Sequence, residues 1–344
     1  MDCFTSVAMT VVFHANGTVM TSTFEALVAR GPRQFGCEKI PFHPCGPTEV
    51  LVKIQSASIS NGSDRNMYIG HPRYSYPLLL GHEPCGVITE KGSEVQHLDV
   101  GDRVTWWFSL GSFPDYCYTD TTQVGIAKLT GEFDIAAASI LELSVAVACG
   151  VYAANVTPNQ RVLVIGLGPS GLLFTQQFKL KGVTDIDDWE VLSKRSQWGR
   201  KFGLQNTFNP TASTAELETH VGAVDPYDLV IDCYCDDLRP DGQTINAALK
   251  VLKNGGTLIK YGHPLTPRSV DMDLVAQKNI NLFEAAMPMS VVQPLVEEQI
   301  ELFLSGKLDL TSMVTHRIKL HEVEATLLDQ IANPDDYIKA VFDM

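Results

Sequence analysis

The sequence predicts an α/β chain in two parts, a doubly wound parallel sheet preceded by a smaller β-rich domain. Three observations carry that reading. The apolar run Val162-Leu163-Val164-Ile165 leads directly into Gly166-Leu167-Gly168-Pro169-Ser170-Gly171 and then into the helix-like stretch Leu172–Phe178. Strand-like and helix-like segments alternate after it, as a doubly wound sheet requires. Ahead of it, residues 24–125 hold short strand-like runs punctuated by Gly and Pro, the texture of a small β-rich domain.

Length and composition agree with two domains. The chain has 344 residues, 45% hydrophobic and 19% charged, as expected of a protein with sizeable cores. No apolar run approaches the ~18–20 residues that span a bilayer, and Met1-Asp2-Cys3-Phe4-Thr5 lacks the positive charge of a secretory signal. A cytoplasmic location is the expectation. The net charge of −14 repels phosphate backbones and anionic lipid, so neither nucleic acid nor membrane is an expected partner. The eight cysteines are scattered, with Cys233 and Cys235 expected in a buried strand, which favours free thiols over disulfides.

The glycine hexapeptide supplies the first chemistry. A buried strand that ends in G-x-G-x-x-G and turns into a helix aims backbone N–H groups and the positive helix end at a pyrophosphate. Gly166 permits the tight turn, Gly168 the close approach of the phosphates, and Gly171 the packing of helix on strand, with Pro169 and Ser170 completing the loop. This is the dinucleotide fingerprint of a Rossmann sheet. Further along, Tyr227–Cys233 reads as a buried strand and Ala247–Leu252 as a helix end. Gly255–Gly262 reads as turn, strand and turn, and Asn279–Glu284 as the next strand. The coenzyme domain is thereby expected over 150–288.

The β-rich part carries runs at Val50–Ser56, Gly86–Glu90 and Arg103–Phe108, and a second cluster of motifs. Gly81-His82-Glu83 precedes Pro84-Cys85-Gly86-Val87-Ile88, then come Gly92 to Val95 and Val100-Gly101-Asp102-Arg103-Val104. Together with Glu49–Lys53, Gly111–Tyr116, the coenzyme domain, Ser305–Leu310 and Thr315-His316-Arg317, this order resembles the medium-chain dehydrogenase/reductase family, the zinc alcohol and polyol dehydrogenases. The likeness covers nearly the whole chain. It implies a GroES-like catalytic domain formed by 1–149 and 289–344, an active site in the cleft beside the Rossmann domain, and a homo-oligomer, dimer or tetramer.

Site residues follow from the same resemblance. His82 falls on the family's histidine ligand to a catalytic zinc, Glu83 on its neighbouring glutamate, and Glu142 on the glutamate ligand of the polyol-type enzymes. Ser63 falls on the proton-relay hydroxyl and Asp64 on the carboxylate that orients the histidine. One position departs from the pattern, since Asn61 stands where the family has a cysteine ligand. A neutral amide is a weak zinc donor compared with a thiolate, yet His82, Glu142 and Glu83 suffice for a three-ligand open site. The bland alternative makes His82 a core histidine, Glu83 and Glu142 paired structural acids, and Ser63-Asp64 an Asx-type turn beside Gly62. The structural zinc lobe of many relatives is also missing, because residues 106–118 hold only Cys117 and the chain has no Cys-x-x-Cys.

Two questions stay open at the level of sequence. Trp106, Trp107 and Phe108 either line the substrate cleft or pack in the core. The residue closing the second coenzyme-domain strand decides between NAD and NADP. Counting by the family spacing puts Glu190 there and favours NAD, whereas a strand shifted to Trp189–Leu192 presents Ser193, Lys194 and Arg195 and favours NADP. Asp187 and Asp188 are odd residues for a buried strand, which leaves that spacing open to a slip. Thr10–Phe13, Asn16-Gly17 and Thr18–Met20 suggest an N-terminal hairpin without a functional signal. The expected activity is an NAD(P)-dependent oxidoreductase acting on a secondary alcohol or ketone: a polyol, cyclitol, sugar or biosynthetic intermediate. The alternatives are a zinc-free carbonyl or enoyl reductase and a non-catalytic nucleotide-binding protein on the same fold.

Overall fold

The computed structural model describes residues 22–204, 206–210, 214–234, 243–264, 268–284 and 288–343. The N-terminal hairpin and Cys235 lie outside them. By its internal contacts the chain forms two compact units, residues up to 146 with those from 287 onward, and residues 147–286. Each has its own core, with Val52, Ile54, Trp106 and Phe342 buried in the first and Leu163, Ile165, Trp189 and Leu258 in the second. Among the described residues no helix is long and apolar enough to cross a membrane.

The first unit begins with β1 (Thr23–Gly31), β2 (Gln34–Pro41), β3 (Glu49–Ser58), α1 (Ser63–Ile69), β4 (Leu78–Leu79) and β5 (Glu83–Lys91). It continues with β6 (Arg103–Trp107), β7 (Tyr116–Asp120), β8 (Gly125–Lys128), α2 (Ile135–Ser139) and α3 (Leu141–Ala154), the helix within which the first unit ends. The three β-runs expected from sequence thus correspond to β3, β5 and β6, each within a few residues. Alternation explains β3, where Val50, Val52 and Ile54 face the core between exposed Lys53 and Gln55.

The second unit runs through β9 (Arg161–Ile165), α4 (Pro169–Leu180), β10 (Asp185–Trp189), α5 (Ser193–Lys201) and β11 (Thr207–Phe208). Then come α6 (Thr214–Ala223), β12 (Tyr227–Asp232), α7 (Gln243–Val251), β13 (Leu252–Lys260), α8 (Met272–Gln277) and β14 (Asn281–Phe283). All its strands pair in parallel, in the order β11-β10-β9-β12-β13-β14. That is the Rossmann order, with the reversal between β9 and β12 opening a crevice at their carboxyl ends. The chain returns to the first unit with α9 (Met289–Leu304), β15 (Val314–Ile318), α10 (Val323–Ala332) and β16 (Lys339–Asp343). There β15-β16-β3-β5-β6-β8 form one sheet, β7 pairing also with β3, and β2-β1-β4 a second.

Three expectations need correction. The strand expected after Gly255-Gly256 begins earlier, at Leu252, because Gly255 takes a positive φ of 75° inside β13 and the register against β12 shifts there instead of turning. Cys233 lies one residue past β12 and is half-buried, not in the strand. The shifted second strand at 189–192 does not form, since β10 ends at Trp189 and Leu192 already caps α5. The buried acids of β10 are explained by their partners. Asp187 accepts from Arg161, Tyr227 Oη at 2.8 Å and Asn206 Nδ2 at 3.0 Å, and Asp188 from Thr207 Oγ1 at 3.1 Å.

Candidate active site

In the first unit, sheet and helix ends bring three titratable side chains together. His82 directly precedes β5, Glu83 is its first residue, and Glu142 sits in the first turn of α3, where the helix dipole favours a carboxylate. Gly81 sets the entry to the strand, with φ of 83° and a position where a Cβ would stand 2.2 Å from the Phe113 ring. One ligand atom from each of His82, Glu83 and Glu142 lies within 4.8 Å of the others, and all three side chains are buried. Among the described residues this is the one such group with metal-ligand spacing.

A second layer holds the imidazole. Asp64, buried in α1, places Oδ1 3.5 Å from His82 Nδ1, and its Oδ2 accepts from the Ser60 amide at 2.8 Å. That contact leaves Nε2 as the histidine's donor for a cation. Burial disfavours a charged imidazole, but the carboxylates of Asp64, Glu142 and Glu83 outweigh it and raise the His82 pKa. Burial likewise pushes the Glu142 carboxyl up, with Glu83 adding to it and His82 opposing.

Around this group Ser63 opens α1, its amide donating to Ser60 Oγ at 3.2 Å, and its hydroxyl hydrogen-bonds Tyr74. Asn61 Oδ1 and Glu83 Oε1 are buried without a hydrogen-bond partner. The orphaned oxygen of Glu83, which belongs to the triad, is costly to bury unless a cation satisfies it, so the donor set fits a metal ion. Sequence reasoning missed Ser58 and Lys339, which both bind Glu83 Oε2, the lysine at 2.5 Å. The aromatic trio splits. Trp106 is core, with Nε1 donating to Ser109 at 2.8 Å, whereas Phe108 packs its ring 5.4 Å from that of His82.

In the second unit the glycine loop closes β9. Gly166 has a positive φ of 87° and its amide donates to Trp189 O at 2.8 Å. A Cβ at Gly171 would stand 1.9 Å from Gly166 O, so helix and loop touch there through backbone alone. At Gly168, the N-cap of α4, a Cβ would meet only Arg195, 3.6 Å away, and the loop is open where a phosphate would approach. Pro169 and Ser170 form the first turn of α4. Glu190, one residue beyond β10, accepts from the Leu167 amide at 2.6 Å through Oε2, and from the Val191 and Leu192 amides at 2.7 and 2.8 Å through Oε1. Cys233 and Tyr234 border the loop at the switch point, their backbone 3.6 Å from the Cβ position of Gly166. No sequence signal had singled out this pair.

Residues 46–165 match the family described as alcohol dehydrogenase GroES-like domain. Sorbitol dehydrogenase 2 of Saccharomyces cerevisiae is 26% identical over 336 residues, 86% of this chain and 90% of that protein. Sorbitol dehydrogenase of Bos taurus is 27% identical over 337 residues, with the same coverages of 86% and 90%. Among solved structures, a short chain alcohol dehydrogenase from E. coli CFT073, complexed with NADH, superposes with a TM-score of 0.82 at 20% identity, covering 94% of this chain and 100% of that one. Residues 46–165 thus carry an alcohol dehydrogenase GroES-like domain, and with a Rossmann strand order behind it the chain is similar, across most of its length, to the NAD(P)-dependent zinc-type alcohol and polyol dehydrogenases of the medium-chain dehydrogenase/reductase family.

Proposed function

We propose that this protein interconverts a secondary alcohol and its ketone, of polyol, cyclitol or sugar type, with NAD and one zinc ion. The observation that carries the reading is the buried triad of His82, Glu83 and Glu142, with donor atoms within 4.8 Å of one another. Asn61 supplies a fourth, neutral oxygen. When bound, zinc supplies Lewis acidity at the alcohol or ketone oxygen, and the nicotinamide supplies the hydride acceptor or donor. Asp64 fixes the orientation of His82, and Ser63 passes the alcohol proton onward. Phe108 beside the imidazole excludes water from the reacting carbon. Buried carboxylates suit this task, because a divalent cation neutralises charge that burial otherwise penalises.

For the dinucleotide, the Glu190 carboxylate favours NAD, since an anion there accepts ribose hydroxyls and repels a 2′-phosphate. Its three backbone amides hold it at the loop. Arg195 has its guanidinium 3.6 Å from the Cβ position of Gly168, which supports a contact with pyrophosphate over one with a 2′-phosphate. The test is metal content and turnover of the purified protein on a panel of secondary alcohols. Roughly one zinc per chain, loss of oxidation on chelation and a preference for NAD over NADP are expected. A metal-free protein whose oxidation rate ignores chelators would refute the zinc reading.

A further inference from the structure

Lys339 opens β16 and is fully buried, a rare place for an ammonium group. Its Nζ lies 2.5 Å from Glu83 Oε2 and donates to Ile59 O at 2.9 Å. Ser58 donates to the same carboxylate oxygen. Strands β16, β3 and β5 are neighbours in that order, so the lysine reaches Glu83 across the end of β3, where Ser58 pairs with Glu83 in register. The other oxygen, Glu83 Oε1, is buried without a hydrogen-bond partner, and Glu83 belongs to the donor triad. One carboxylate oxygen is thereby tied to the sheet while the other is left without a partner.

Resting on the zinc reading above, we infer that Lys339 is a positioning residue which holds Glu83 by Oε2, leaves Oε1 alone for the cation, and offsets one negative charge of the donor set. Asn61 contributes no charge where a thiolate is usual, so Glu83 and Glu142 alone would cancel a divalent cation. With the ammonium in place, part of the donor set's negative charge is offset and the cation stays a better Lewis acid. Holding Oε2 also prevents the carboxylate from binding through both oxygens, which would fill the position a substrate oxygen needs.

The experiment compares wild type, Lys339→Met, Lys339→Arg, Glu83→Gln and the double variant Lys339→Met/Glu83→Gln. Zinc affinity is read by competitive chelation and coordination by the visible spectrum of the cobalt(II)-loaded proteins. Lys339→Met is expected to bind zinc about tenfold more tightly, since a cation is removed from beside it, and to give a weaker cobalt band of higher coordination number. Lys339→Arg is expected to restore both readouts. If Lys339→Met fails to fold because Glu83 is left unpaired, the double variant is compared with Glu83→Gln: equal cobalt spectra are expected, as the lysine sets the coordination through the carboxylate, with zinc bound no more weakly once the nearby cation is gone. Unchanged or weakened affinity in Lys339→Met would overturn the inference, as would different cobalt spectra for the double and single Glu83 variants. A wild type that binds neither zinc nor cobalt would sink the zinc reading itself, and this inference with it.

Discussion

Asp188 shows what a single buried side chain costs this fold. It is fully enclosed between β9 and β11, and burial pushes its carboxyl up to about 7, with Glu190 and Asp187 adding and Thr207 and Arg200 opposing. An acid whose folded pKa lies above its unfolded value keeps a proton that the unfolded chain has lost, so stability falls as pH rises from about 4 to about 7. Asp188→Asn removes that contribution while its amide still accepts from Thr207. The variant should therefore gain on wild type across this window, by at most ~1.4 kcal/mol per pH unit, and hold a constant lead above it. Urea unfolding of both proteins at pH 4.5, 6 and 8 checks this; a difference independent of pH would mean that Asp188 is ionised throughout. Glu190→Gln makes a second probe at this scale, because the amide oxygen can keep accepting backbone N–H groups while the charge is gone. Discrimination against NADP should fall roughly tenfold, read as the ratio of kcat/KM for the two dinucleotides. An unaltered ratio would leave Glu190 as a loop clamp only.

Elements differ in how openly the sequence announces them. The β9-loop-α4 unit was legible because every requirement is local: an apolar strand, glycines where φ turns positive or a Cβ would collide, and a helix behind. The three glycines make separable predictions. Gly168 has φ of −67° and open space at its Cβ position, so Gly168→Ala should fold with near-wild-type stability and bind the dinucleotide at least tenfold more weakly. Gly171→Ala should instead unfold readily, since its methyl would meet Gly166 O at 1.9 Å. Thermal melts and cofactor titration separate the two, and a Gly168→Ala protein with unchanged affinity would remove the phosphates from this loop. The identity of β10 was less legible. Its acids oppose the usual composition of a buried strand, and their partners Arg161, Asn206, Thr207 and Tyr227 come from neighbouring strands and a loop that no window of sequence joins. Glu83 is the same case in the first unit, where Lys339 becomes its neighbour only through the order of three strands.

For the whole molecule, the separation into two units with separate cores predicts separable chemistry. The donor triad and Asp64 all belong to the first unit, while the glycine loop, Glu190 and Arg195 belong to the second. His82→Ala takes away one donor of the proposed metal site and leaves Asp64 tied to the Ser60 amide, both within the first unit. Bound zinc and alcohol oxidation should be lost, the latter by at least a hundredfold if the metal polarises the substrate oxygen. Dinucleotide affinity should stay within about twofold of wild type, because the helix dipole, loop amides and Glu190 proposed to hold it all belong to the other unit. Zinc analysis, steady-state rates and fluorescence titration with NADH on one preparation provide the three readings. Cofactor affinity that collapses along with the zinc would show that the coenzyme unit depends on the metal site, and a variant that keeps its zinc would place the ion elsewhere than at His82.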